Sequence, residues 1–262
     1  MSSLRPDIMI NPSDLFIQTG NVAGTVPYMT QIPELGVRSV TGDGREFRFI
    51  QAGASNLITG QLVQAAGPQS NYVDVTAIAV AAGATTATLT VSTGTAVTAN
   101  QFSGGYYQTY GTVANGGGQN LKISSNTAVT SSGTSITFVL EEGPSVAITT
   151  SATVNIIPPA YQGIIQVPST VTGKVAGVAL PVIPDSSTTL NGLTALFYGW
   201  VQIKGIANAL ISGTPAIGTG LSAPNAGTAG ALQVTAATLM DIATNLKTGT
   251  DGRYGPVDLL IS

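Results

Sequence analysis

The chain has 262 residues, no cysteine, no histidine, nine basic and twelve acidic side chains, and a net charge of −3. That composition removes the imidazole proton shuttle, the commonest metal ligand, the thiolate nucleophile and every disulfide, leaving a catalyst only serine, lysine or carboxylate chemistry. The cations stand singly, so the clustered Lys and Arg that phosphate contacts require are missing and direct nucleic-acid binding is not expected.

Charged residues make up 8% of the chain, against about 25% in ordinary soluble domains. Residues 75–121, 143–173 and 205–240 carry no charge at all. A free monomer normally keeps a mixed charged surface, so these stretches read either as a neutral Thr/Ser surface or as surface covered in an assembly, where charges are depleted. The length allows one large β domain or two small ones. Mean hydropathy is positive at +0.32, yet Gly, Thr, Ser, Asn and Pro interrupt every apolar run before the ~18 residues of a spanning helix. The opening Met1-Ser2-Ser3-Leu4-Arg5-Pro6-Asp7 lacks the basic-then-apolar pattern of a signal peptide. A soluble chain made in the cytoplasm is expected.

Residues 1–33 differ from the rest. Pro6, Pro12, Pro27 and Pro33 among isolated hydrophobics predict an extended arm. Ile8, Met9, Ile10, Leu15, Phe16, Ile17, Tyr28 and Met29 are too apolar to leave in water, so the arm is expected to dock on a neighbouring surface through Ile8, Ile10, Leu15, Phe16, Ile17, Tyr28 and Met29. Next comes an internal echo. Residues 47–63 and 198–213 each show an aromatic strand, a Gly turn (Gly53, Gly205) and a short apolar strand closed by Gly60 or Gly213. Two related strand pairs far apart predict a barrel assembled from both ends of the chain. Between them, residues 84–91, 135–140 and 152–157 alternate small or polar with apolar side chains, as half-buried strands do. Residues 236–247 fit three helical turns or a strand equally well, because Gly249 and the Thr content weaken the helix. The fold class is therefore all-β: a β-barrel or sandwich body (34–75 plus 165–262), an inserted second β lobe (76–164) and the N-terminal arm (1–33).

Few constellations carry chemistry. Glu141-Glu142 is the adjacent acid pair, but neighbours on a strand face opposite ways, so strand-end solvation is expected. Gly42-Asp43-Gly44-Arg45-Glu46 and Thr250-Asp251-Gly252-Arg253-Tyr254 are turn signals in which the Arg can pair with a nearby acid; a calcium loop would need more oxygen ligands. Gly116-Gly117-Gly118 lacks the Lys-Ser/Thr of a phosphate loop. No Gly-x-Ser-x-Gly elbow exists, and Lys122, Lys174, Lys204 and Lys247 show no motif supporting a Ser-Lys dyad. Tyr106, Tyr107 and Tyr110 form a candidate surface aromatic patch, either a carbohydrate platform or a β edge. Trp200 is expected in the core. No catalytic residue, metal or cofactor is assigned.

Several segments resemble virion structural proteins of tailed bacteriophages: Leu35-Gly36-Val37-Arg38 through Thr41-Gly42-Asp43-Gly44-Arg45-Glu46-Phe47-Arg48-Phe49, then Ala52-Gly53-Ala54, Gly60-Gln61-Leu62, and Ala96-Val97-Thr98-Ala99-Asn100-Gln101-Phe102-Ser103-Gly104-Gly105-Tyr106. Ile157-Pro158-Pro159-Ala160-Tyr161-Gln162-Gly163 and Tyr198-Gly199-Trp200-Val201-Gln202 fit as well. The C-terminal half is similar to the β domain of head decoration, or cement, proteins. The resemblance implies a non-enzymatic protein on the outer surface of the capsid, acting as a homotrimer that braces neighbouring major capsid protein subunits, without nucleic acid or membrane as partner. The alternatives are another virion subunit (tail-tube, head-completion or surface fibre) or a carbohydrate-binding module.

Overall fold

Alternating burial along short strands, punctuated by Gly turns, sets the architecture. A computed structural model describes residues 8–9, 34–92, 96–180, 182–185, 189–190, 193–194, 197–236 and 239–261. Among them there is no α-helix, and the chain is all-β. The first strands are β1 (Ile8–Met9), β2 (Arg38–Val40), β3 (Glu46–Gln51) and β4 (Leu62–Gln64). There follow β5 (Val75–Thr76), β6 (Thr86–Thr90), β7 (Tyr106–Tyr110), β8 (Asn120–Asn126), β9 (Ser135–Leu140) and β10 (Thr153–Ile157). The chain continues with β11 (Ile165–Gln166), β12 (Val175–Ala179), β13 (Thr189–Leu190), β14 (Leu193–Thr194) and β15 (Tyr198–Ser212). It ends with β16 (Gly220–Ser222), β17 (Leu232–Val234), β18 (Ala243–Asn245) and β19 (Arg253–Leu260).

The chain divides into two units, Met1–Gly67 with Ala160–Ser262, and Pro68–Pro159. The sequence placed this division at 75/76 and 164/165. Both crossings fall earlier, at 67/68 and 159/160; at the first, Tyr72, in a 3-10 turn over Ser70–Tyr72, packs its ring 5.2 Å from Phe102 in the lobe core. At the other crossing, Ile164 bridges Ala52 and belongs to the body.

The lobe follows directly from strand alternation. Its six strands run antiparallel in the order β5-β10-β7-β8-β9-β6, and a bridge from Ala77 to Leu89 brings the last strand back to the first. Ala87, Leu89, Ile136, Phe138, Val154 and Ile156 point inward; Thr86, Thr88, Thr90, Ser135, Thr137 and Asn155 alternate with them outward. Tyr107 and Phe102 both meet Phe138, at 5.8 and 6.1 Å. Each such buried aromatic contributes about 2–3 kcal/mol of transfer free energy.

In the body, the 15-residue β15 is wall to two rings of strands. Its C-terminal half pairs with β17 and β19, and the order β15-β17-β16-β18-β19 closes a five-stranded barrel. Its N-terminal half pairs with β3 and β12; β12 pairs β4, β4 pairs β11, and the Ala52–Ile164 bridge returns to β3. Leu62, Ile211, Leu221, Leu232, Val257 and Leu259 pack in the first core, and Ile50, Val63, Ile164, Phe197 and Val201 in the second. The opposite face of β3 and β15 is also buried, by Phe47, Phe49, Tyr198 and Trp200, so Trp200 is a core residue.

The echoed segments differ from expectation here. After Gly53 the first contributes only an isolated bridge, Leu57 to Ile183, before β4. The second has no turn at Gly205. That residue, at φ +82°, is a bend within β15 where the strand passes from one ring to the other. Gln202, 1% exposed, braces the bend: its Nε2 donates to the carbonyls of Lys204, Gly205 and Ile206 at 3.0, 3.2 and 2.9 Å. Residues 236–247 supply the strand β18 and no helix among those described.

Candidate interaction surface

The outer face of the lobe is nearly charge-free. Pro68–Pro159 holds four charged residues, Asp74, Lys122, Glu141 and Glu142. Lys122 and Glu141 pair at 2.9 Å while both stay half-exposed, and the two acids lie just past the end of β9, at a solvated strand end as expected. The rest is hydroxyl and amide interspersed with exposed apolar side chains, Val113, Val139 and Val146 among them. Thr86, Thr88 and Thr90 face Val139, Thr137 and Ser135 across the β6–β9 ladder, with the Thr88 and Thr137 hydroxyls 3.4 Å apart. On β7, Tyr106 lies between Ile157 and Lys122, Gln108 between Asn155 and Asn120, and Tyr110 beside Thr153.

Of the three tyrosines expected in one patch, the structure brings two to the surface. Tyr106 is 38% and Tyr110 72% exposed, about 14 Å apart along the strand. Tyr107 is 0% exposed, because adjacent residues on a strand face opposite ways. Burial raises its phenol pKa, and the hydroxyl has no hydrogen-bond partner among the described residues. A shallow cleft of about 500 Å³ opens elsewhere on the lobe, lined by Ser70, Asn71, Asp74, Thr76 and Thr90 among others. Asp74 adopts φ +53° there and donates its backbone N–H to Asn155 Oδ1 at 2.6 Å. The cleft has one carboxylate, that of Asp74, among neutral groups.

Five of the body's charged residues form structural ion pairs. Arg38 donates Nε to Glu46 Oε2 at 2.9 Å, its Nη2 lies 2.9 Å from Oε1, and Lys204 Nζ reaches Oε1 at 3.2 Å. The Glu46 side chain is 13% exposed. Arg38 above all holds its pKa below the usual carboxylate range, against the opposing effect of burial, with Lys204 assisting. In the β2–β3 turn, Asp43 accepts from the Thr41 hydroxyl and from Arg45 Nε at 2.7 Å. These bonds, Thr41 first, hold its pKa at about 2. The Arg45 guanidinium lies 5.7 Å from the Phe47 ring centre. Arg48 lies over Tyr161 at 5.8 Å and donates to the Gly36 carbonyl at 2.9 Å. In the second turn signal, Asp251 accepts from the Gly213 backbone N–H at 2.6 Å. No group of three or more Asp or Glu side chains is placed to hold a metal among the described residues.

Of the arm, Ile8 and Met9 are placed by backbone pairing: β1 runs parallel to β2, Ile8 opposite Ser39 and Met9 opposite Val40. This edge belongs to the chain's own body, whereas the sequence pointed only to a neighbouring surface. The other expected contact residues, Ile10, Leu15, Phe16, Ile17, Tyr28 and Met29, lie outside the described residues. Sequence reasoning missed an exposed apolar pair on the body, Ile206 and Leu260, 65% and 53% exposed. They flank Lys204 and Asp258 on the β15–β19 ladder. Their signal is an apolar side chain on the polar phase of a strand, which only the register reveals.

Compared with protein-family models, curated proteins and solved structures, the chain finds no match.

Proposed function

We propose that the chain is a head decoration protein of a tailed bacteriophage, a trimeric structural subunit on the outer capsid surface that braces neighbouring major capsid protein subunits. The observation that carries this reading is the lobe, a nearly closed sheet whose outer wall presents Thr, Ser, Asn, Gln, two Tyr and exposed Val side chains, with only four charges in the whole unit. A face of that kind can be covered without desolvating ions, the costly part of burying a polar surface. Rings of strands leave few edges for uncontrolled pairing, and a body with two such rings is suited to transmitting load. Weak contacts repeated by symmetry then give avidity without a tight single site. The segments that resemble phage virion proteins include the β2–β3 hairpin and the start of β15, both part of the body wall.

The test is reconstitution on heads stripped of this subunit. Full-length protein is expected to saturate the heads in many symmetric copies and to raise their resistance to heat or chelation. Removal of residues 1–33 is expected to weaken binding while Trp200 fluorescence still reports a folded body. Unchanged occupancy by the truncated chain would remove the arm from the contact. Binding confined to the tail or portal vertex would assign the chain to another virion component.

A further inference from the structure

We propose that the outer edge of β2 is a strand-accepting surface, and that in an assembly its occupant is the Ile8–Met9 segment of a second copy of this chain. One side of β2 is taken by β3, in the register Ser39 to Phe47 and Val40 to Glu46. The other side receives β1, in parallel, at two positions. That pairing, Ile8 to Ser39 and Met9 to Val40, occupies the edge, while the Ser39 side chain is buried on the face of the sheet. The β2-β3-β15 path leads at its far end into the closed barrel, which has no edge to offer.

Nothing in that pairing requires the donor and acceptor to share a chain. Parallel strands need a crossover of a dozen or more residues, and here residues 10–33 alone can reach up to about 80 Å when extended. The same backbone hydrogen bonds form whether the segment comes from its own chain or from a neighbour, so exchange keeps this pairing and is a low-cost route to oligomers. In a symmetric array, neighbouring copies supply donor segments at a local concentration comparable to that of the tether. A two-residue strand binds weakly alone, which suits a link that closes only when subunits are already side by side. The inference concerns contacts between copies and holds whichever particle the copies build.

The absence of native cysteine allows a direct test. Met9 and Val40 are opposed in adjacent strands, about 4.8 Å apart, within the Cα separation that a disulfide spans. Full-length Met9→Cys and Val40→Cys chains, carrying tags of different size, are mixed, concentrated until the copies self-associate, oxidised and run on a non-reducing denaturing gel. The expected result is a covalent heterodimer containing both tags, absent when Val40→Cys is replaced by Thr88→Cys on the lobe. The double variant Met9→Cys/Val40→Cys is expected to give a ladder of covalent oligomers. A double variant that closes only within monomers, with no heterodimer in the mixture, overturns the proposal in favour of pairing within one chain. No cross-link in either sample overturns the pairing itself. Capsid binding is not read in this assay, so its outcome is separate from the decoration role.

Discussion

Gln202 is the side chain whose loss should cost the body most for its size. One buried amide supplies two protons to three carbonyls, those of Lys204, Gly205 and Ile206, at the bend where β15 leaves one ring and enters the other. Gln202→Met keeps the length and volume of the side chain and removes both protons. Leaving a fully buried acceptor unpaired costs about 1–3 kcal/mol, and these acceptors are part-buried. Two lost protons, with the carbonyls keeping part of their ladder bonding, set the expected destabilisation at about 2–3 kcal/mol. Trp200, the single tryptophan, is buried two residues away in the same strand, so its fluorescence during urea unfolding reports the body selectively. The midpoint should fall with little change in slope. Gln202→Glu should be worse than Gln202→Met at pH 7, because a carboxylate would face three acceptors and its pKa would be raised in the folded state. Relative to wild type it should recover as pH falls, once protonation restores one donor. A Gln202→Met variant within about 0.5 kcal/mol of wild type, on that same scale of costs, would refute the bracing role.

Tyr107→Phe should leave the lobe unchanged or stabilise it by up to about 1 kcal/mol, since it deletes a buried hydroxyl with no partner among the described residues; thermal unfolding followed by near-UV circular dichroism checks this. Glu46 should make the body acid-sensitive: its folded pKa is lowered, so its contribution is fully present above the unfolded carboxylate range and is lost as pH falls through the folded value. Glu46→Gln should therefore be less stable than wild type near neutrality and show a smaller loss of stability between neutral and acidic pH, measured as urea midpoints across that range. Asp43, held at about 2, should titrate below the usual Asp range by carboxyl NMR, and Thr41→Val should move it upward.

The sequence was most legible where one face of a strand is buried and the other wet. Residues 84–91, 135–140 and 152–157 alternate, and β6, β9 and β10 lie within them. The same alternation should have divided Tyr107 from Tyr106 and Tyr110, had register been applied to the aromatic cluster as it was to the threonines. The first half of β15 could not be read this way. Tyr198 to Ile203 are all buried, because both faces meet a core, and Gly205 looks like a turn signal although the strand runs through it. Local pairs such as Asp43 with Arg45 followed from turn chemistry, whereas Glu46 with Lys204, 158 residues apart, depends on strand order that no local pattern encodes. The covered edge at β2 was hidden for the same reason, being a contact between residues 8–9 and 39–40.

The most direct test of the decoration role is an electron cryomicroscopy map of tailed-phage particles that carry this chain, at a resolution that separates the six-stranded lobe from the two-ringed body. We expect density for both units on the outer surface of the head, repeated at symmetric positions between major capsid subunits. Heads without that density, or density found only in the tail, would contradict it.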